Sequence, residues 1–411
     1  MLREFAAQPK MVSIAGSAVG QVFLFAATAI VSRVYLPEQI GEYGIYFALF
    51  NVLQIAAMLR LEQAIVYARD EDEAGLLAQA CLLVLLPVLL ALAIPAYVYL
   101  ARNPQTSAYS VGLLCALVVA VACSAVTRMS VQTIARSDSF MTLALINLMR
   151  PSLIAAFQIL AALAGAAHAR LTVAFALAQF TLMIGAFALF RRTAGAPLRP
   201  APLPLLLDAA RRHKGFVLYS LPQNLLFVLS EALVPLSISF IYSDASAVAL
   251  FWLASRAVFA PATVVAESIR PQTYRAIARQ TEGLARYVFL TSAALFATVA
   301  LPLLLLFWIG PSLFELAFGA GWRGANDYAL VLGGLVAVNM AALPFIGALP
   351  VLGLQRHYVV VELAGLAVRA ALLFLVVWGD AWTGLAVSTL GYVLVQLGFL
   401  AYVASILVRR K

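Results

Sequence analysis

Apolar runs of about 20 residues, nearly free of charge, recur from Val12 to Val408. A run of that length and character fits a helix that crosses the hydrocarbon of a bilayer. Inside lipid every backbone N–H and C=O must find its partner within the protein, so only helices and closed barrels can span it. The runs are continuous rather than alternating, which excludes barrel strands. Apolar residues make up 64% of the 411 and charged residues 11%, against about 45–50% and 25% in soluble domains. That composition excludes an ordinary soluble enzyme, a disordered chain and a disulfide-stapled module. Twelve spans are expected, at 11–35, 43–59, 76–100, 109–128, 139–165, 171–190, 216–242, 246–267, 288–310, 328–350, 358–378 and 383–408. The expected fold class is therefore an all-α polytopic membrane protein.

The formal charge of +9 could suggest a nucleic-acid partner, but its distribution points elsewhere. With the N-terminus in the cytoplasm, twenty of the 27 Lys and Arg fall at inner ends and loops. Only Arg102, Arg170 and Arg323 fall outside, and Arg33, Arg150, Arg256 and Arg369 lie within spans. This is a strong positive-inside asymmetry. It implies a multi-pass protein with both termini cytoplasmic, and no nucleic acid is expected as a partner. All five Trp fall at or near the outer surface in this reading, as an interfacial belt would. Met1–Lys10 resembles a signal n-region, but the apolar stretch after it is too long, so an uncleaved first span is expected.

Internal similarity organises the chain. Arg60-Leu-Glu-Gln-Ala-Ile-Val-Tyr-Ala-Arg69 matches Arg270-Pro-Gln-Thr-Tyr-Arg-Ala-Ile-Ala-Arg279 in place and charge. Arg150 matches Arg369, and Phe190-Arg191-Arg192 matches Val408-Arg409-Arg410. Three matches in order support a six-plus-six duplication, with lobes 1–192 and 215–411. An even span count per lobe makes the repeats parallel, related by an axis along the membrane normal. The connecting segment 193–214 holds Pro197, Pro200, Pro202 and Pro204, which prevent a continuous helix. Its end, Leu205–Lys214, reads as a short amphipathic helix on the inner leaflet. Two six-helix lobes form an architecture for alternating access, so a transporter is expected rather than an enzyme.

Several segments carry a family resemblance. They are Gly16-Ser-Ala-Val-Gly-Gln21, Ser32-Arg33, Leu36-Pro37-Glu38-Gln39-Ile40-Gly41-Glu42-Tyr43-Gly44 and Leu59-Arg60-Leu61-Glu62-Gln63-Ala64-Ile65. In the second half they are Phe216, Ser220-Leu-Pro222, Asn224, Pro235, Leu253-Ala-Ser-Arg256 and Pro261. Together they resemble the Wzx-type O-antigen and polysaccharide flippases of the multidrug/oligosaccharidyl-lipid/polysaccharide exporter superfamily. The resemblance implies translocation of an undecaprenyl-diphosphate-linked oligosaccharide from the cytoplasmic to the periplasmic leaflet of the bacterial inner membrane. It also implies a polar cavity between lobes for the diphosphate and sugars, membrane lipids around the tail, and a polysaccharide polymerase and chain-length regulator as partners.

The charges within spans are tested against such a cargo. A charged side chain at the bilayer centre costs about 2.5–3.5 kcal/mol on insertion scales, so it should face a cavity or a partner. Arg33, Arg150, Arg256 and Arg369, with Arg60 at the inner mouth of the second span, are the candidate substrate-binding cations. Guanidinium offers a planar fork to phosphate oxygens. Alternatives weigh against each. Arg33 could snorkel, Arg150 could bond a carbonyl freed by Pro151, and Arg369 with Glu362 could form a structural network. Glu231, between Pro222 and Pro235, is the candidate for ion coupling, with a fixed Glu231–Arg256 pair as its alternative. The acidic run Asp70–Glu73 reads as a solvated helix start. Arg270–Arg286 reads as a basic inner loop. Cys81, Cys115 and Cys123 read as packing residues. No metal spacing and no Walker A motif occur, so no cofactor, metal or catalytic residue is expected. Two other functions compete: a drug/cation antiporter of the same superfamily, and a membrane polysaccharide polymerase or ligase. The first span lacks Asp and Glu, against the former. The longest outer connection expected, Pro311–Asp327, is short and carries one Arg, against the latter.

Overall fold

A computed structural model describes residues 9–137, 139–165, 170–193, 200–279, 283–376 and 379–409. Among them, twelve long helical segments follow the twelve apolar runs. The first six are α1 (Pro9–Val34), α2 (Pro37–Ala56), α3 (Glu71–Arg102), α4 (Ser110–Arg136), α5 (Phe140–Leu163) and α6 (Arg170–Thr193). A short helix, α7 (Leu203–Arg212), precedes the seventh span. That span, Phe216–Tyr242, is α8 (Leu221–Ser237) with a π-helical turn at each end, Phe216–Ser220 and Ile238–Tyr242. The rest are α9 (Ala245–Arg279), α10 (Leu284–Phe318), α11 (Ala325–Leu352), α12 (Gln355–Leu375) and α13 (Ala381–Arg409). The chain is a multi-pass all-α membrane protein.

Two compact units form, Met1–Ala232 and Leu233–Lys411. In the first, α1 packs along α5, α2 and α3 pack on α4, and α4 and α5 pack on α6. In the second, α9 and α10 pack on α11, while α11 and α12 pack on α13. Small residues set the close approaches. A Cβ on Gly20 of α1 would come 2.2 Å from the Pro151 ring of α5, and one on Gly365 of α12 would come 2.9 Å from the Tyr392 ring of α13.

Local chemistry explains several ends. Pro37 opens α2, where its missing N–H costs nothing, and Gln39 Oε1 accepts from Leu36 N at 3.1 Å. The expected second span, 43–59, therefore starts six residues earlier and ends sooner. Asp70 caps α3 by accepting from Glu73 N at 2.7 Å, and Glu73 returns the favour to Arg69 N at 2.8 Å. Glu73 is buried, so the expectation of a solvated acidic run fails at its last member. Its other oxygen faces Arg212 Nε at 3.6 Å and His213 Nε2 at 3.5 Å. Ala201 N also donates to Gln79 Oε1 at 3.0 Å. The amphipathic helix α7 is thus docked on α3 through Leu206 and Ala209, while Leu203, Leu205 and Leu207 stay exposed. Pro197 lies outside the described residues.

Three other expectations change. Pro302 and Pro311 sit inside α10, which runs on to Phe318, so the outer connection there is far shorter than Pro311–Asp327. Backbone from Arg270 to Arg279 continues α9, so the first part of the basic inner loop is helix. Trp308 and Trp382 are exposed as a belt requires, but Trp252 and Trp322 are buried; Trp378 lies outside the described residues. Cys81 and Cys123 are buried and Cys115 exposed, all unbridged.

Candidate functional site

The second span breaks where the charges begin. α2 ends at Ala56, a 3-10 segment follows at Leu61–Tyr67, and the chain bends by 49° between them. Leu59 and Arg60 carry φ of 53° and 63°. Left-handed backbone at a non-glycine residue costs about 1–3 kcal/mol each and persists only where surrounding contacts hold it. Those contacts are polar. Ser220 Oγ donates to Gln63 Oε1 at 2.9 Å, an Arg60 guanidinium N–H donates to Asn224 Oδ1, and Asn224 Nδ2 donates to the Ser220 carbonyl at 2.7 Å. The break is thereby tied to the start of the seventh span, within the same unit.

Glu62 sits at the centre with its side chain 1% exposed. Arg60 Nη1 lies 3.8 Å from Glu62 Oε1, and Arg128 Nη1 of α4 lies 3.7 Å from the same oxygen. Both distances are too long for hydrogen bonds, and both Glu62 oxygens are buried without one. Arg128 spends another N–H on the Gln54 carbonyl, in the last turn of α2. Helix C-terminal carbonyls lack intrahelical partners and carry negative partial charge, so they accept this cation readily. Ser124 Oγ and Asn51 complete the shell around the Gln54 amide, at 3.2 and 3.0 Å.

Arg150 of α5 is half-buried and close enough to Arg128 for their like charges to repel. Among the described residues it makes no hydrogen bond or ion pair; the alternative partner, a carbonyl freed by Pro151, is not used. Two guanidiniums therefore face one carboxylate, and Arg150 adds its charge within electrostatic range of Arg128. A buried excess of cationic charge is costly, and an anion entering it would be strongly favoured. Arg128 lies eight residues, about 12 Å, inside the end of α4. It is a member of the cluster rather than part of the inner-loop charge count.

The other candidates lie elsewhere. Arg33 is exposed at the end of α1. Tyr35, two residues on, donates to the Ala161 carbonyl at 3.1 Å, eleven residues or about 16 Å along α5 from Arg150. Arg256 stacks over the Trp252 ring at 4.7 Å. Glu231 is exposed on α8, four residues before Pro235, which has no N–H to give the Glu231 carbonyl.

Arg369 is 3% exposed. It lies over the Tyr392 ring at 5.5 Å and reaches Thr389 Oγ1 at 3.5 Å. From that ring, Tyr392 OH donates to Glu362 Oε2 at 3.0 Å, and Gln396 Nε2 donates to Glu362 Oε1 at 2.9 Å. Arg369 and Glu362 thus share a network through Tyr392.

Comparisons with known proteins bear on this geometry. The sequence signature of the family described as "Polysaccharide biosynthesis protein" matches residues 30–327. No curated protein matches the chain in sequence. Two solved structures resemble it closely in fold. One is "Lipid II flippase MurJ, inward closed conformation", with TM-score 0.76 and 10% identity, covering 95% of this chain and 87% of that one. The other is an inward-facing multidrug resistance MATE family transporter of the MOP superfamily, with TM-score 0.68 and 14% identity, covering 95% and 96%. At these identities the likeness establishes the fold.

Proposed function

Because the chain belongs to the polysaccharide biosynthesis protein family, we propose that it is a flippase, moving a polyprenyl-diphosphate-linked oligosaccharide across the bacterial inner membrane by alternating access. The cargo in this reading is an O-antigen or exopolysaccharide repeat unit, carried from the cytoplasmic to the periplasmic leaflet, with both termini cytoplasmic. A polymerase and a chain-length regulator would act on the delivered unit. One observation carries the reading: Arg60 and Arg128 stand about a single carboxylate, and Arg150 adds a further charge beside Arg128. A diphosphate head carries the charge and the acceptor oxygens such a cluster lacks, and guanidinium pairs with phosphate oxygens two at a time. The same excess repels cationic drugs. A lipid II flippase and a MATE transporter share the fold, which supports transport over polymerisation or ligation.

In this reading Arg33 and Arg256 meet the cargo elsewhere on its path, and Arg369 positions α12 against α13. Glu231 couples transport to an ion gradient. Exposure on a span bounded by π-helical turns motivates that role. If Glu231→Gln vesicles transport equally well with and without a gradient, as wild type does not, the role stands; full gradient-dependent transport by the variant removes it. The function itself is tested in a deletion strain. Lipid-linked repeat units should accumulate on the cytoplasmic leaflet. Single units accumulating on the outer leaflet would instead mark a polymerase.

A further inference from the structure

Glu62 has an unusual position for a carboxylate. Its side chain is 1% exposed, both its oxygens lack hydrogen bonds, and two guanidiniums stand just beyond bonding distance. A carboxylate kept for stability would draw its arginines into direct, bidentate contact. Here each arginine gives a hydrogen bond to another group instead, Arg60 to the Asn224 side chain and Arg128 to the Gln54 carbonyl. The residue that follows Glu62, Gln63, accepts from Ser220 at the start of the seventh span. The acid thus rides on a 3-10 segment bounded by strained backbone at Leu59 and Arg60.

We propose that Glu62 is an internal stand-in for the cargo's phosphate: it holds Arg60 and Arg128 while the site is empty and is displaced when a diphosphate takes them. This rests on the reading of a diphosphate-bearing cargo and adds a residue that opposes binding. Ion exchange is the whole step; no bond forms or breaks covalently. One acid leaves two guanidiniums as the phosphate oxygens arrive, so the charge of the buried cluster becomes better compensated. Losing the arginines frees the 3-10 segment from its anchor, and the Arg60–Asn224 and Gln63–Ser220 ties loosen with it. Cargo charge is thereby converted into release of the start of the seventh span. An internal competitor also sets specificity: a single weak anion cannot displace it, whereas a diphosphate, with more charge and more acceptors, can.

The test uses the full-length protein in nanodiscs and farnesyl diphosphate as the probe. Glu62→Gln should bind it about tenfold more tightly than wild type, Glu62→Asp should bind it nearly as wild type does, and Arg150→Gln should bind it more weakly. If Glu62→Gln binds no more tightly than wild type while Arg150→Gln still weakens binding, the diphosphate reading survives and the stand-in is overturned. If neither wild type nor Glu62→Gln binds the probe, both fall. Wild-type hydrogen exchange provides a measurement free of any folding defect in the variant. Adding farnesyl diphosphate should raise exchange in 61–67 at least threefold, and unchanged or slower exchange there overturns the proposal.

Discussion

Each unit buries arginine beside glutamate, and the two solutions are opposite. In the second unit Glu362 receives hydrogen bonds at 3.0 and 2.9 Å from Tyr392 and Gln396, and Arg369 rests over the ring of the same tyrosine. Neutral donors compensate the acid and a π face compensates the cation. In the first unit Glu62 has no hydrogen bond, its arginines stand off at 3.7 and 3.8 Å, and Arg150 adds a further charge. A satisfied network gives stability and a fixed geometry. An under-compensated one costs stability and leaves its capacity for something that is not part of the chain. The under-compensated cluster of the first unit is therefore the one we propose for cargo, and the hydrogen-bonded network of the second unit has a structural character.

Substitutions can break that contrast. The largest effect is expected at Arg150. Arg150→Gln should lower transport roughly 10- to 100-fold, as loss of a charge-assisted contact of about 1.5–3 kcal/mol implies, without lowering the melting temperature of purified protein. A fall in melting temperature with transport unchanged would show Arg150 to be structural. Gly365→Val should act oppositely. Its added methyl groups meet the Tyr392 ring, and overpacking of this kind costs about 1–3 kcal/mol. The protein should melt earlier, and the transport rate per folded molecule should hold. Tyr392→Phe removes one donor from Glu362, at a cost of about 1–2 kcal/mol. Paired with Gln396→Leu in a double-mutant cycle, it should be non-additive, since both donors serve one carboxylate; additive losses would mean that no network exists. The smallest effect is expected at Glu73→Gln, which weakens the ion pair to Arg212 and the contact with His213. Pairs whose cation is exposed, as Arg212 is, contribute about 1 kcal/mol or less. Faster cleavage between residues 200 and 215 in limited proteolysis is the readout, with transport barely altered.

Much of the fold was legible because lipid imposes one rule everywhere. A run long enough to cross and apolar enough to stay must be helical, and so α3 to α6 lie close to where the runs predict. Ends were less legible. Pro302 and Pro311 look like stops, yet α10 carries through both; helix neighbours in a membrane re-satisfy the groups that proline frees. The site was legible only in part. Arg60 and Arg150 stand out by charge within or beside a span. Arg128 did not, because it ends the predicted span 109–128 and so counts as a topology signal. Ser124, Thr127 and Arg128 form a polar stripe at helical spacing, which is the trace of the site in α4. Glu62 and Asn224 appear only as motif letters, and nothing in their spacing shows that they share an arginine.

Composition and periodicity alone determined that this chain lives in a membrane and crosses it about twelve times. These properties follow from transfer free energies that act on each segment independently of the others. Tertiary structure decided which charges are answered and which are left open. Residues 62, 128 and 150 stand on three separate elements, and whether a guanidinium meets an acid, a tyrosine face or a second guanidinium depends on distances of a few ångströms between helices. Coulomb energy in a low-dielectric interior varies steeply over that range, and no one-dimensional pattern encodes it.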